Sequence, residues 1–297
     1  MASSQDVRFS EDKVAQGQQL TNKLWNASRL VLLGVGSDPR AAVQPRTVED
    51  RWILSRLERA KRDFASRIES YEFSRAALGL YDFVYGELCD WYLELVKPRL
   101  RAGERELAAT LLHVLTETLA LAHPIIPFVT EEIYSFVPGA DGLLAARTTA
   151  AVDGQIDEHA EAELTRLIEA VQAVRAWRDS AGVKAGTVVN TRLVADDYEQ
   201  TSDHLARLAR LTFPENGGEP VASVPVPGGA VEILSSDSLD LEAAERKRVA
   251  AREKLESEIA RSEQRLANDG FVAKAKPEVV QAERDKLARL RAELEAL

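Results

Sequence analysis

Apolar residues recur every three or four positions along most of the chain, which is the spacing of helices that bury one face. The first such stripe predicts a helix from about Ser10 to Leu33, ended by Gly34. Its apolar face consists of Leu20, Leu24, Ala27 and Val31. The other faces carry more polar groups than packing alone needs, namely Asn22, Lys23, Asn26 and Arg29.

Four further stripes predict helices that begin near Thr47, Phe73, Glu104 and Pro127. Thr47 with Asp50 resembles a capping box at the start of the first of these helices. Pro98 is expected to stop the second, because proline opposes continuation of a helix. Since long helices joined by short connections pack side by side, residues 1–137 are predicted to form an antiparallel helical bundle.

A different pattern follows a glycine-containing loop at residues 138–156. Helices are predicted from about 157 to 180, capped by Gly182, and at 204–211. Runs rich in β-branched residues predict strands at 187–194, 221–226 and 230–234. The last two strands are joined by a hairpin turn, Pro227-Gly228-Gly229. Residues 138–238 are therefore predicted to form a small α+β domain.

A heptad seam runs through the last part of the chain. Its members are Leu255, Ile259, Ser262 and Leu266, then Val280, Glu283, Leu287, Leu290, Leu294 and Leu297. Turn residues at 268–270 and a helix-starting Pro277 separate the two halves. Residues 239–297 are therefore predicted to fold as an antiparallel coiled-coil hairpin, with Ser262 and Glu283 as polar interruptions. The fold class of the whole chain is expected to be mainly α.

The net charge of −10 over 297 residues is distributed unevenly along the chain. Residues 106–244 hold 8 Lys and Arg against 22 Asp and Glu, a local charge of −14. The two ends of the chain therefore keep a mildly positive balance. Such a distribution permits contact with phosphates at the ends without itself indicating RNA binding.

Composition and motifs give no sign of an active site. Cys89 is the only cysteine, and the four histidines are dispersed, although His113 and Glu117 share a helical face. The sequence contains no Walker loop, nucleophile elbow or dinucleotide-binding glycine motif. No apolar run reaches the roughly 20 residues of a membrane span, and the first residues do not resemble a signal peptide. A cytoplasmic location is therefore expected.

Several segments, in order, resemble the anticodon-binding bundle of class I aminoacyl-tRNA synthetases. They are residues 22–29 (Asn-Lys-Leu-Trp-Asn-Ala-Ser-Arg), 50–57, 71–73, 90–92 with 97–99, and 123–132. Their order and spacing are similar to those of the valyl-tRNA synthetase family. Residues 266–275 and 278–280 resemble the C-terminal coiled-coil arm of that family, which its close relatives generally lack. One departure is Lys276. Family members often have proline directly after the alanine that corresponds to Ala275, whereas here Lys276 precedes Pro277.

The resemblance implies that the chain recognises valine tRNA and does not charge it. In the family, a His-x-Gly-His motif and a Lys-Met-Ser-Lys-Ser loop bind ATP. This chain lacks the first, since no two of its histidines are three residues apart, and the second, since Met1 is its only methionine. The chain is therefore expected to be a C-terminal portion of the enzyme, inactive alone and without a cofactor. ATP and Mg²⁺ would be used by a catalytic domain elsewhere in the parent protein. Valine tRNA and that catalytic domain are the expected partners of a monomer that does not bind membranes.

On the anticodon side, the resemblance implies tRNA contacts by Asn22, Lys23, Asn26, Arg29, Lys97 and Arg99. Asn26 and Arg29 are predicted to contact bases or sugars, and Lys97 and Arg99 to contact phosphates. Two alternatives stay open, since Asn26 could cap its own helix and Arg29 could pair with a carboxylate of the bundle. The tryptophans are interpreted as core or interface anchors and not as base-stacking residues, namely Trp25, Trp52 and Trp91.

On the arm, the resemblance implies tRNA contacts by Arg261, Arg265, Phe271, Lys274 and Lys276, around the predicted hairpin tip. The four cations would meet backbone phosphates without reading sequence. Phe271 either closes the apex, which we favour, or stacks on a nucleobase.

A function of another class stays open beside this one. The chain could be a helical scaffold whose coiled coil binds protein and no RNA. The acidic middle segment and the leucine seam favour this scaffold. The family resemblance at both ends of the chain outweighs them.

Overall fold

The computed structural model describes residues 11–35, 43–147, 156–215, 218–235, 241–268 and 277–295. The chain divides into two compact units, Met1–Thr165 and Arg166–Leu297. The first unit is helical, and the second combines a small sheet with helices. The predicted fold class, mainly α with a small α+β part, is confirmed. The predicted domain boundaries after residues 137 and 238 stay predictions.

The first unit consists of consecutive helices with short connections. They are α1 (Glu11–Val35), α2 (Val48–Glu69), α3 (Phe73–Asp82), a π-helical segment (Phe83–Tyr92), α4 (Leu93–Arg101), α5 (Arg105–Ala122), α6 (Pro127–Tyr134) and a 3₁₀ turn (Leu144–Ala146). Pro127 begins α6, as its position at the start of an apolar stripe predicts. Within the described ranges, no helix is both long and apolar enough to span a membrane.

The core of this unit forms where the apolar stripes meet. Leu24 of α1, Ile53 of α2, Leu95 of α4 and Leu119 of α5 have no exposed surface. The predicted apolar face of α1 is buried along its length, since Leu20, Ala27 and Val31 are at most 8% exposed. This burial fixes which face of α1 is left for solvent.

Two local predictions about helix ends are wrong. Pro98 lies inside α4, which continues to Arg101 and ends before Gly103, a glycine with φ of 70°. One missing N–H donor so close to the end of a helix disturbs few hydrogen bonds. Thr47 does precede α2, but its side chain makes no capping hydrogen bond. Its hydroxyl accepts a hydrogen bond from Arg99 instead.

Helix α7 (Glu158–Ser180) spans the division between the units, and the sheet follows it. The remaining elements are β1 (Val189–Ala195), α8 (Ser202–Ala209), β2 (Leu211–Thr212), β3 (Pro220–Val226) and β4 (Gly229–Leu234). The strand order is β2-β1-β4-β3, with β1 parallel to β2 and antiparallel to β4. The sequence did not indicate β2, because two residues are too few for a pattern.

The β3–β4 hairpin turns at Pro227 and Gly228, as predicted. Gly228 and Gly229 have φ of 81° and 155°, which residues with a side chain rarely adopt. A Cβ atom at Gly229 would lie 2.1 Å from the carbonyl oxygen of Val194 on β1. Both the turn and the close approach of β1 therefore require glycine.

Two long helices complete the second unit, α9 (Leu241–Leu266) and α10 (Pro277–Glu295), and they pack against each other. Seam positions are buried, with Leu255, Val280 and Leu290 at most 9% exposed. The two polar interruptions meet, since Ser262 Oγ donates to Glu283 Oε1 at 2.9 Å. We call α9 and α10 the arm. The predicted turn at 268–270 lies mostly outside the described residues.

A buried ion-pair network joins α2 to α5 in the first unit. The ammonium group of Lys61 lies 2.6 Å from Glu58 Oε1 and 3.0 Å from Glu117 Oε2. All three side chains are at most 8% exposed. Glu117 also accepts a hydrogen bond from Arg147. Burial alone would raise the pKa of Glu117, but the hydrogen bonds with Arg147 and Lys61 lower it on balance.

Replacing the shared cation tests how much this network contributes. We expect Lys61→Met to lower the free energy of unfolding by about 3–5 kcal/mol, because two buried carboxylates lose the ammonium group that they share. Arg67→Met is the matched control on the same helix, since Arg67 pairs with the half-exposed Asp63. We expect it to cost less than about 1 kcal/mol. Urea unfolding followed by circular dichroism measures the free energy of unfolding of both variants. Equal losses of stability would contradict a stabilising role for the buried network.

Candidate nucleic-acid interface

The exposed side of α1 carries polar and aromatic side chains that share one face. Asn22, Trp25, Asn26 and Arg29 follow one another at intervals of three or one residues and are all exposed. They lie opposite the buried stripe of Leu24 and Val31. We call these four exposed residues the α1 surface. Three of them are residues that the resemblance implies as tRNA contacts.

Within the described residues, the side chains of Asn22, Asn26 and Arg29 have no hydrogen-bond or ion-pair partner. The two alternatives for Asn26 and Arg29, a local cap and a pair with a bundle carboxylate, are therefore not observed there. Amide groups and a guanidinium that are already exposed need no internal bond to be broken before they contact a ligand. Their predicted role as base or sugar contacts stays a prediction.

Lys23 lies at the edge of this surface and does have partners. Its ammonium group donates to Asp90 Oδ1 at 2.9 Å and lies 5.0 Å from the centre of the Tyr85 ring. The hydrogen bond with Asp90 is the main reason why the pKa of Lys23 is raised. The ion pair is exposed, so it contributes little stability and can be exchanged for another anion.

Trp25 is a candidate contact that the sequence interpretation did not select. Its side chain is 41% exposed, whereas Trp52 is 3% exposed and belongs to the core. An indole on a polar surface presents both an apolar face and an N–H donor. The sequence feature that could have identified Trp25 is its position between Asn22 and Asn26, on the side of α1 away from the apolar stripe.

The two residues predicted to contact phosphates from α4 differ in environment. Lys97 is partly exposed and pairs with Glu94, one turn earlier on α4. Arg99 is only 17% exposed, and its guanidinium lies 2.7–2.9 Å from Glu49, Asp50 and Glu104. It also donates to Thr47 Oγ1 at 2.9 Å.

These contacts hold Arg99 inside the bundle. Burial alone would lower the pKa of Arg99, but its hydrogen bonds with Glu104 and Asp50 raise it on balance. A phosphate would have to compete with three carboxylates for this one side chain. Contact with phosphate stays a prediction for Arg99, and the structure gives it a second role as the link between three helix ends.

The arm brings cations from both of its helices to one groove. The groove is lined by Arg261, Ser262, Gln264, Arg265, Asn268, Glu283 and Lys286. Arg261 and Arg265 are exposed, as phosphate contacts require, although Arg265 also lies 3.4 Å from Glu283. Lys286 of α10 joins them, and sequence reasoning missed it because it belongs to the other helix. The other predicted arm contacts, Phe271, Lys274 and Lys276, lie outside the described residues.

In the described part of the chain, no three His, Cys, Asp or Glu side chains form a cluster that could hold a metal ion. Cys89 is buried, and burial raises the pKa of its thiol to about 11. The α1 surface and the groove of the arm present exposed cations, amides and an aromatic ring, which are groups that contact RNA.

Two family models match the chain. The model described as the anticodon-binding domain of tRNA ligase matches residues 50–193. The model described as the valyl tRNA synthetase tRNA binding arm matches residues 240–297. The first runs from the first turn of α2 into β1, and the second covers both helices of the arm.

Curated relatives match almost the whole chain, α1 included. The valine–tRNA ligase of Thermosynechococcus vestitus is 37% identical over 97% of this chain and 35% of the relative. That of Mycolicibacterium paratuberculosis is 36% identical over 95% of this chain and 33% of the relative. That of Clostridium acetobutylicum is 31% identical over 100% of this chain and 36% of the relative. The chain therefore spans about a third of the length of these relatives.

Two arginine substitutions separate a structural residue from a surface residue. We expect Arg99→Gln to lower the free energy of unfolding by about 3 kcal/mol or more, because the buried carboxylates of Glu49 and Asp50 lose the guanidinium that they share. Arg29→Gln should change it by less than about 0.5 kcal/mol, since Arg29 is exposed. Urea titration of both variants checks this. An Arg99→Gln variant as stable as the unmodified chain would mean that the ion pairs of Arg99 do not stabilise the bundle.

Proposed function

The chain belongs to the valyl-tRNA synthetase family, and we propose that it is a tRNA-recognition portion of such an enzyme. It binds the anticodon region and the outer corner of valine tRNA. The observation that carries this proposal is the match of an anticodon-binding domain and a tRNA-binding arm in one chain. Relatives named valine–tRNA ligase across nearly the full chain support the choice of valine.

The whole enzyme, in this proposal, joins valine to its tRNA with ATP and Mg²⁺ in a catalytic domain outside this chain. That domain and valine tRNA are the partners, and the enzyme works as a monomer in the cytoplasm. This chain holds neither cofactor and contributes affinity and selectivity. Because the two tRNA-binding regions and the catalytic domain act on one tRNA, their affinities multiply through effective concentration.

The α1 surface supplies the groups that read unpaired bases. RNA sequence is recognised mainly at single-stranded loops, where base edges accept hydrogen bonds from amides and guanidinium groups and base faces stack on aromatic rings. The side chains of Asn22, Asn26 and Arg29 are exposed and make no hydrogen bond or ion pair within the described residues, and Trp25 lies among them. Lys23 adds a cation at the edge of this surface.

The arm supplies a different kind of contact. Arg261, Arg265 and Lys286 line one groove, and their charges meet phosphates whatever the base sequence. This division assigns selectivity to the first unit and additional affinity to the arm. A helical scaffold without RNA binding is not favoured, because both family models that match the chain describe tRNA-binding parts.

Titration of this chain with valine tRNA and with an anticodon-mutated version tests the proposal. We expect binding at low salt, and binding of the mutated tRNA about tenfold weaker, equivalent to roughly 1.4 kcal/mol. Fluorescence anisotropy at several salt concentrations provides both affinities. Failure to bind at low salt would overturn the tRNA assignment. Equal affinity for the two tRNAs would leave only phosphate contacts supported.

Charge removal on the arm should weaken binding without changing selectivity. For the double variant Arg261→Gln and Arg265→Gln, we expect weaker binding of both tRNAs by the same factor. The slope of log affinity against log salt should fall by about 1 to 2, since each phosphate contact contributes about 0.7–0.9. Arg252→Gln is the control, because Arg252 pairs with Glu256 on the same helix. An unchanged slope in the double variant would contradict the role of the groove.

A further inference from the structure

Two stacked tyrosines lie beside Lys23 in the first unit. Tyr81 belongs to α3 and Tyr85 to the π-helical segment, and their ring centres are 4.3 Å apart with planes 19° from parallel. Both side chains are partly exposed. The neighbouring Phe83 and Val84 are at most 2% exposed, so the core is formed by these residues and not by the tyrosines.

The hydroxyl groups of this pair differ from those of the buried tyrosines. Tyr92 donates to Asp50 at 2.9 Å, and Tyr198 donates to the carbonyl oxygen of Pro227 at 3.1 Å. Within the described residues, neither Tyr81 nor Tyr85 has a hydrogen-bond partner. The pair is therefore not required by an internal hydrogen bond, and its rings are held by stacking on each other.

The position of the pair connects it to the α1 surface. The Lys23 ammonium lies 5.0 Å from the centre of the Tyr85 ring and is paired with Asp90, five residues after Tyr85. On α1, Lys23 is three residues from Asn26 and one from Asn22, both of which are exposed. A polar surface with an exchangeable cation and a partly exposed aromatic stack is the combination that binds single-stranded RNA.

We propose that the Tyr81–Tyr85 pair is a stacking site for an unpaired nucleobase of an RNA loop, with Lys23 meeting the adjoining phosphate. This inference rests on the proposed function and adds two binding residues to it. Stacking on aromatic rings tolerates different bases, because every base has a π face. The pair therefore contributes affinity for an open loop, while the amides and Arg29 of the α1 surface contribute selectivity. Asp90 holds Lys23 beside the ring until a phosphate replaces the carboxylate.

Replacing both rings tests the stacking site in the full chain. We expect the double variant Tyr81→Leu and Tyr85→Leu to bind valine tRNA about 5- to 100-fold more weakly, with an unchanged salt slope, because no charge is removed. The double variant Tyr81→Phe and Tyr85→Phe keeps both rings and should bind like the unmodified chain. Lys23→Gln should instead reduce the salt slope by about 0.7.

A second aromatic pair of the same unit is the matched control. Tyr71 and Phe73 are 75% and 57% exposed, and their ring centres are 6.2 Å apart in an edge-to-face arrangement. Tyr71→Leu with Phe73→Leu should leave tRNA affinity unchanged. Urea unfolding of each variant shows whether a loss of affinity reflects a loss of folded protein, and the Phe variant remains informative if the Leu variant unfolds.

The outcomes separate this inference from the proposed function. Binding of valine tRNA by the unmodified chain with no loss in the Leu variant would overturn the stacking site and leave the proposed function standing. An equal loss in the Phe and Leu variants would also overturn it, because the hydroxyl groups would then be responsible. Absence of binding by the unmodified chain would overturn both.

Discussion

The guanidinium of Arg99 joins the ends of three helices in the first unit. It extends from the last turn of α4 to Glu49 and Asp50 in the first turn of α2 and to Glu104 just before α5. A cation at a helix C-terminus and anions at helix N-termini also complement the helix dipoles. Since buried charges must be paired, these ends cannot separate without exposing uncompensated carboxylates. With the second network around Lys61, this constraint fixes the relative positions of the helices against which α1 packs.

The periodic part of this structure was predictable from the sequence, because burial of one face repeats every turn. The stripes of α1 and of the arm, the proline that begins α6 and the glycine hairpin all follow from local rules. The network of Arg99 does not, since its partners Glu49 and Asp50 lie about 50 residues away and look like ordinary surface charges. The predicted capping box is wrong for the same reason. Thr47 and Asp50 accept hydrogen bonds from Arg99, a residue distant in sequence, and Thr47 does not cap its own helix.

The candidate site shows the same division between local pattern and tertiary context. Helical spacing placed Asn22, Asn26 and Arg29 away from the apolar stripe, and exposure of these residues follows from it. Spacing could not distinguish Lys97 and Arg99, two cations two residues apart, although one is partly exposed and the other is enclosed by carboxylates. Trp25 was interpreted by residue type as a core or interface anchor, and the structure leaves its side chain 41% exposed. The tyrosine pair depends on the junction of α3 with the π-helical segment, which no local sequence pattern indicated.

The acidic middle of the chain limits which surfaces can bind RNA in the proposed function. Non-specific RNA affinity depends mainly on the number of phosphates neutralised, so a net charge of −10 keeps it low. Contacts are then limited to places where cations are concentrated or where other groups compensate for missing charge. In the proposed function, the groove of the arm does the first with Arg261, Arg265 and Lys286. The α1 surface and the tyrosine pair are proposed to do the second, because amides and aromatic rings add binding energy that depends on unpaired bases and is insensitive to salt. Selectivity for an open loop would then follow from using few charges where bases are read.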